Sequence, residues 1–242
     1  MTDSFSLLPA ARENTAALSV IVIVRNGARF IAEALTSIFL SRLQPAEIIV
    51  VDGDSSDDTV AIAETFPRVR VWRQTTQGIA NAYNEGIEQA SGGYLAFISH
   101  DDRWMPGKLD RQIAYLEGHP ETDAVLCQVE HFLEDGLECP PGFRPELLGV
   151  ARPGWIMEAL LARREVFERV GRFDPAFAVS EDSDWFARAV DGGVKLTVLP
   201  EMLVRKRVYG GNATLTGART NPLLLKALRS SIQRKRQEAS HG

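Results

Sequence analysis

The strongest constraint on this chain is an alternation of short apolar runs and amphipathic stretches that begins at Leu18. Leu18–Val24 (LSVIVIV) is continuous and rich in Val and Ile, which predicts a strand covered on both faces. Phe30, Ala34, Leu35 and Ile38 then recur at helical spacing, and Glu47–Val51 is again apolar and β-branched. Ser55 or Ser56 can cap a helix over Asp57–Phe66, with Asp57 and Asp58 favoured near its positive end. Val69–Trp72 predicts a third strand, Ile79, Tyr83, Ile87 and Ala90 a further helix, and Tyr94–Ile98 a fourth strand. This rhythm predicts a right-handed, doubly wound α/β sheet that is mostly parallel, with ligands bound beyond the carboxyl ends of its strands.

The second half is less regular. Pro106 can open a helix to Leu116, and Ala124–Val129 reads as a strand. Glu134–Pro153 holds several prolines and glycines and reads as a long surface loop. Arg164–Val170 and Glu181–Val190 read as helices, Val194–Leu199 and Met202–Val208 as strands. Asn221–Arg236 reads as a last amphipathic helix, with Leu224, Leu225, Leu228 and Ile232 on or near one face. No internal repeat or long linker divides the 242 residues, so one domain is expected.

Composition narrows the class. With 45% hydrophobic and 24% charged residues, the chain is neither collagen-like nor wholly disordered. The net charge of −5 separates into −13 over residues 1–202 and +8 over residues 203–242. An acidic body argues against a nucleic-acid binder, while the basic end leaves open contact with an anionic membrane surface. The N-terminus lacks a signal-peptide pattern, and the longest apolar run falls short of the about 20 residues of a membrane helix. A cytoplasmic protein is expected, with Cys127 and Cys139 as reduced thiols.

The unusual residues fall at strand ends. Arg25-Asn26-Gly27 follows the first strand, Asp52-Gly53-Asp54 the second and Ser99-His100-Asp101-Asp102 the fourth. Adjacent carboxylates such as Asp101 and Asp102 repel unless a cation or solvent relieves them. Oxygen ligands favour Mg²⁺ or Mn²⁺ shared with phosphates; a solvated acidic turn is the alternative. Asp52 and Asp54 can accept hydrogen bonds from ribose or a base N–H, or form a turn and helix cap. Glu181-Asp182-Ser183-Asp184 opens a helix, where the dipole favours acids, and can equally supply a general base.

In their order along the chain, these segments resemble a family 2 glycosyltransferase with the GT-A fold. The resemblance runs from about Leu18 to about Thr216 and rests on LSVIVIVRNG, IIVVDGDSSDDT, GIANAYNEG, FISHDD, Gly171–Asp174 and SEDSDWFAR. It implies a donor half over 18–102, an acceptor half over 103–218, an N-terminal tail over 1–17 and a basic C-terminal helix or tail over 219–242. It implies transfer of a sugar from a nucleotide sugar, UDP-linked in the favoured case, to an acceptor hydroxyl with inversion. The acceptor would be a glycan, a lipid-linked compound or another hydroxyl, in cell-surface polysaccharide or glycoconjugate synthesis. Self-association as a homodimer stays open.

Residue by residue, the resemblance gives Asp182 the role of base. Asp52, Asp54, Arg25, Gly78, Asn81 and Asp101 would contact the donor. Asp101 and Asp102 would hold a Mn²⁺ or Mg²⁺ ion, with Asp102 favoured as the direct ligand. Glu181, Asp184 and Trp185 stand on the acceptor side, with helix start and core packing as their alternatives. His100, Arg205 and Arg207 are candidates for balancing the diphosphate; a structural histidine and a solvated basic strand are the alternatives. Ile23 stands where many relatives have Pro, Gly53 replaces an Asp of a common variant, Ser99-His100 replaces a more acidic start to the metal motif, and Tyr209 stands where relatives often have His. A sugar nucleotidyltransferase would need a Gly-rich loop with basic residues after the first strand, and Arg25–Arg29 is a poor substitute. A dehydrogenase would need GxGxxG there. A catalytically inactive glycan- or nucleotide-sugar-binding module is the remaining alternative, and the three carboxylate sites argue against it.

Overall fold

β1 (Leu18–Val24) lies in the middle of a sheet, and its only polar side chain closes the sheet's lower end. Ser19 is fully buried, donates to Glu47 Oε1 at 2.7 Å and accepts the Gly92 N–H at 2.8 Å. The computed structural model describes residues 18–134, 136–177, 180–212, 229, 231 and 232. In chain order β1 is followed by α1 (Ile31–Ile38), β2 (Glu47–Asp52), α2 (Thr59–Ala63), β3 (Val69–Arg73), α3 (Ile79–Gln89) and β4 (Tyr94–Ser99). Next come β5 (Arg103–Trp104), α4 (Lys108–Gly118), β6 (Ala124–Phe132), β7 (Arg152–Pro153), β8 (Leu161–Arg163), α5 (Arg164–Val170), α6 (Glu181–Asp191) and β9 (Leu196–Arg207). Short 3₁₀ turns occupy Pro145–Leu147 and Met157–Ala159.

The sheet order is β3-β2-β1-β4-β8-β6-β9-β5, with β7 on β6. The first four strands are all parallel, as their unbroken apolar runs require. β8 pairs antiparallel with β4 and β6, β5 antiparallel with β9, and β6 parallel with β9. Most paired residues therefore belong to parallel ladders, and the fold is a single α/β domain. Strand order reverses between β1 and β4, whose ladder ends at Ile23 and Ser99, while β1 and β2 end at Val24 and Asp52. Such a reversal is where open α/β sheets bind ligands.

Packing fixes the helices over the sheet. A Cβ on Gly86 would stand 2.5 Å from Ile21 Cγ2, so only glycine lets α3 approach β1 this closely. Tyr83, Phe97, Phe167, Phe173 and Trp185 form a continuous aromatic cluster joining α3, β4, α5 and α6. Asn84, buried in α3, donates to the Phe173 carbonyl at 2.9 Å and accepts the Phe173 N–H at 2.8 Å.

Several expectations are corrected. Ser55 and Ser56 do not cap a helix; they hold the turn after β1, and α2 begins only at Thr59. The two expected last strands are one, β9, which runs through Pro200 and takes up a register irregularity against β6 near Leu126–Val129. The Glu134–Pro153 loop carries a 3₁₀ turn and ends in the short strand β7. Residues 1–17 lie outside the described residues, as does most of the expected C-terminal helix; of the latter, Arg229, Ser231 and Ile232 are described and helical. No helix among the described residues is long and apolar enough to cross a membrane.

Candidate functional site

At the carboxyl ends of β1 and β2, two loops are stitched together by side chain to backbone bonds. The Asn26 N–H donates to Ser55 Oγ at 2.8 Å and Asn26 Oδ1 accepts the Ser56 N–H at 2.8 Å. The Gly27 N–H reaches Thr59 Oγ1 at 2.8 Å, and the Ala28 N–H reaches Asp57 Oδ2 at 3.1 Å. Hydrogen bonding by Thr59, and then by backbone N–H groups, holds the Asp57 carboxyl below its ordinary value. The frame leaves Asp52 in an unusual state. It is 1% exposed, Oδ2 accepts the Ser55 N–H at 3.2 Å, and Oδ1 is buried without a partner. A buried carboxylate oxygen left unpaired is costly, and a ligand N–H or O–H relieves it. Asp54 is exposed in the left-handed region at φ 66°, and Arg25 is exposed.

The loop before α3 borders Asp52. The Gln74 N–H donates to the Asp52 carbonyl at 2.9 Å, and Gln74 Nε2 reaches the Gly78 carbonyl at 2.7 Å. Glu85 gathers this loop. Burial would raise its pKa, but bonds from Thr75, Trp72 and Thr76 outweigh burial and lower it. Gly78, at φ 110°, makes the turn into α3, and Asn81 donates to the Gln77 carbonyl at 2.8 Å.

Beyond β4 the carboxylates separate in character. His100 packs over Gly27, where a Cβ would lie 2.5 Å from the imidazole Cδ2. Burial lowers its pKa, which favours the neutral ring. Asp101 Oδ2 accepts from Asn212 Nδ2 at 3.2 Å, and its side chain is also hydrogen-bonded to Tyr209. Burial, followed by the charge and hydrogen bond of Asp101, raises the Tyr209 pKa, so the phenol stays protonated. Asp102 is differently placed. It is 1% exposed, Oδ1 accepts the Arg207 N–H at 3.0 Å and Oδ2 accepts from Lys206 Nζ at 2.8 Å. Both its oxygens are thus engaged within the protein. Among the described residues, no group of three or more His, Cys, Asp or Glu side chains can hold a metal. Mg²⁺ is commonly held by one or two carboxylates plus substrate phosphates, and Asp101 and Asp102 are the two adjacent carboxylates beyond β4.

The arginines of β9 are structural. Arg205 Nε pairs with Glu130 at 3.1 Å. Arg207 is 1% exposed; its guanidinium bonds Glu33, Glu134 and the Asp101 carbonyl and lies 4.2 Å from the Phe30 ring centroid. Lys206, between them and on the opposite face of the strand, meets Asp102 instead. Lys206 Nζ is also 3.3 Å from Glu158 Oε1, which accepts from Ser99 Oγ at 2.5 Å. Glu158 and Lys206 were not expected from sequence. A lone acid in the apolar run WIMEALLA and the alternation of β9 are the signals that mark them.

α6 supplies the remaining acids. Asp182, on its first turn, accepts the Ser183 N–H at 2.6 Å. Burial, then the charge of Glu158, pushes its pKa up to about 6. Burial and the neighbouring Asp182 push Glu181 up to about 8. At neutral pH the pair therefore divides into a neutral Glu181 and an ionised Asp182. Asp184 pairs with Arg188 at 2.9 Å, and Arg188 also holds the Val170 and Arg172 carbonyls. Trp185 is fully buried between Phe167 and Phe173, with its indole N–H on the Gly171 carbonyl at 3.2 Å. These two residues hold α6 against the elements beneath it.

A sequence profile described as "Glycosyl transferase family 2" matches residues 19–173. An uncharacterised protein of Mycobacterium tuberculosis is 32% identical over 215 residues, covering 80% of this chain and 60% of that protein. An uncharacterised glycosyltransferase of Rickettsia typhi is 27% identical over 212 residues, covering 82% of this chain and 66% of its own length. The chain thus spans less than two thirds of these relatives. Among solved structures, S. aureus TarS 1–349 in complex with UDP-GlcNAc superposes with a TM-score of 0.71 at 22% identity, over 90% of this chain and 66% of that one. The same TarS fragment in complex with UDP gives a TM-score of 0.64 at 23% identity, over 79% of this chain and 60% of that one. The fold is that of TarS, and the chain belongs to glycosyl transferase family 2.

Proposed function

We propose that this chain transfers a sugar from a nucleoside diphosphate sugar, UDP-linked, to an acceptor hydroxyl with inversion. The observation that carries the reading is the unpaired, buried Oδ1 of Asp52 at the switch point of the sheet, in a chain whose α6 presents an ionised Asp182. The UDP and UDP-GlcNAc complexes of TarS support a uridine donor.

In this reading Asp52 accepts a hydrogen bond from the nucleoside, within reach of Gly78 and the exposed Arg25 and Asp54. Asp101 is the residue that would hold a Mn²⁺ or Mg²⁺ ion, which when bound neutralises charge on the departing diphosphate. Asp182 removes the proton of the acceptor hydroxyl. That oxygen forms the new bond to the anomeric carbon, and the bond from that carbon to the phosphate oxygen breaks, its electron pair leaving with the nucleoside diphosphate. With one base and no covalent nucleophile, a single displacement inverts the anomeric centre. Neutral Glu181 adds no repulsion to the leaving anion.

Calorimetric titration with UDP-, GDP- and dTDP-sugars in the presence of Mn²⁺ tests this. UDP-sugars are expected to bind most tightly and to be hydrolysed slowly without acceptor. Equal or absent binding of all three overturns the donor assignment.

A further inference from the structure

Trp155 is a large apolar side chain on a tight mount. The Gly154 N–H donates to the Cys127 carbonyl at 3.0 Å, and a Cβ on Gly154 would collide with Val129, so the backbone before Trp155 lies directly on β6. The Trp155 indole meets the Phe186 ring edge-to-face, with centroids 5.6 Å apart. With Phe186, Ala187 and Val190 of α6 it lines an open groove, and Trp155 and Val190 are 45% and 47% exposed. Large apolar side chains gathered along one groove mark a docking surface.

The chain itself reaches this groove. Asp191, the last residue of α6, and Ser231 complete the lining, and Ser231 Oγ donates to Asp191 Oδ1 at 3.0 Å. Arg229, Ser231 and Ile232 are helical; Arg229 is exposed, Ile232 is 50% exposed, and Ser231 is half-buried. Ser231 thus points inward and its flanks outward. Three, four and seven residues before Ser231, on the same helical face, the sequence has Leu228, Ala227 and Leu224. Lys226 falls about 140° away. A carboxylate at the groove suits a segment carrying Lys226, Arg229, Arg234, Lys235 and Arg236 and repels an anionic surface.

We propose that the occupant of this groove is the chain's own C-terminal segment, residues 224–231. It lays Leu224, Ala227 and Leu228 against Trp155, Phe186, Ala187 and Val190, and Ser231 ties its end to Asp191. Lys226 and Arg229 then face solvent. By helical spacing, Phe186, Ala187 and Val190 lie opposite Trp185 and Arg188, so the segment supports α6 from the side that those two residues leave uncovered. The inference does not depend on the sugar-transfer reading.

The experiment uses the full chain carrying C139S, in which the remaining native thiol, Cys127, is buried. Thiol pairs are introduced and treated with dibromobimane, which fluoresces on linking two nearby thiols. V190C/L228C is expected to link within one chain about tenfold faster than V190C/K226C, because only the first pair is held face to face. In a second measurement, acrylamide quenching of Trp155 emission, taken as the difference from W155F, is expected to strengthen and the emission to shift to the red in L224D/L228D. The cysteine pairs decide the matter should L224D/L228D not fold. Equal linking of the two pairs, or faster linking of V190C/K226C, overturns the inference. Linked dimers in place of linked monomers make the occupant a second copy of the chain and also overturn it. So does protection of wild-type Trp155 from acrylamide by phosphatidylglycerol vesicles, which makes the groove a lipid contact.

Discussion

Two pairs of carboxylates are held in opposite ways. Asp57 and Glu85 are surrounded by N–H and O–H donors from crossing loops, and their pKa values fall. At the start of α6, Glu181 and Asp182 are buried beside other acids, and theirs rise, as does that of Asp102, buried at the end of β4. Hydrogen bonds fix charge, whereas desolvation makes it conditional on pH.

That contrast can be broken experimentally, beginning with the largest effect. D182N should lower transfer roughly 10³-fold, by the usual scale of general-base loss, while UDP affinity measured by calorimetry stays as in wild type. Near-normal turnover would return Asp182 to the structural acids. D102A should separate stability from metal use: it strands Lys206 and costs about 3–5 kcal/mol in urea unfolding. D101A should leave stability nearly unchanged but abolish the dependence of donor affinity on Mn²⁺. The reverse pattern would restore Asp102 as the ligand. D52A should weaken UDP binding roughly 10-fold to 100-fold, the worth of one hydrogen bond to a charged group.

The smallest effect lies in the pH dependence of folding. Glu181 is raised from 4.5 to about 8 in the folded state, so its stabilising contribution is complete below 4.5 and is lost as pH rises toward 8. E181Q should flatten that decline in urea melts taken between pH 5 and 8. An identical slope in wild type and variant would show that Glu181 titrates normally.

The parallel half was legible because buried parallel strands read as unbroken apolar runs, and β1 to β4 lie where LSVIVIV and its successors place them. α5 begins and ends as its residues predict, at Arg164 and at Val170 before Gly171. The antiparallel additions were not legible: β5, β7 and β8 are two or three residues long and gain their order from partners remote in sequence. In the site, the motifs brought out Asp52, Asp101, Asp102 and Asp182 as candidates, with Asp102 favoured by the resemblance as the direct metal ligand. They did not reveal that Asp102 meets Lys206 and the Arg207 N–H, because those partners lie on β9, remote in sequence. The charge count also placed Lys206 and Arg207 within a basic end, whereas both are neutralised inside the fold by Asp102, Glu158, Glu33 and Glu134.

Asn84 carries a consequence of its own. α3 starts at the loop that borders Asp52 and, a turn and a half later, grips the backbone of Phe173, whose ring stacks on Trp185 of α6. One helix therefore ties the loop beside Asp52 to the aromatic floor under α6 through a matched pair of hydrogen bonds, so the two regions share a single mechanical link.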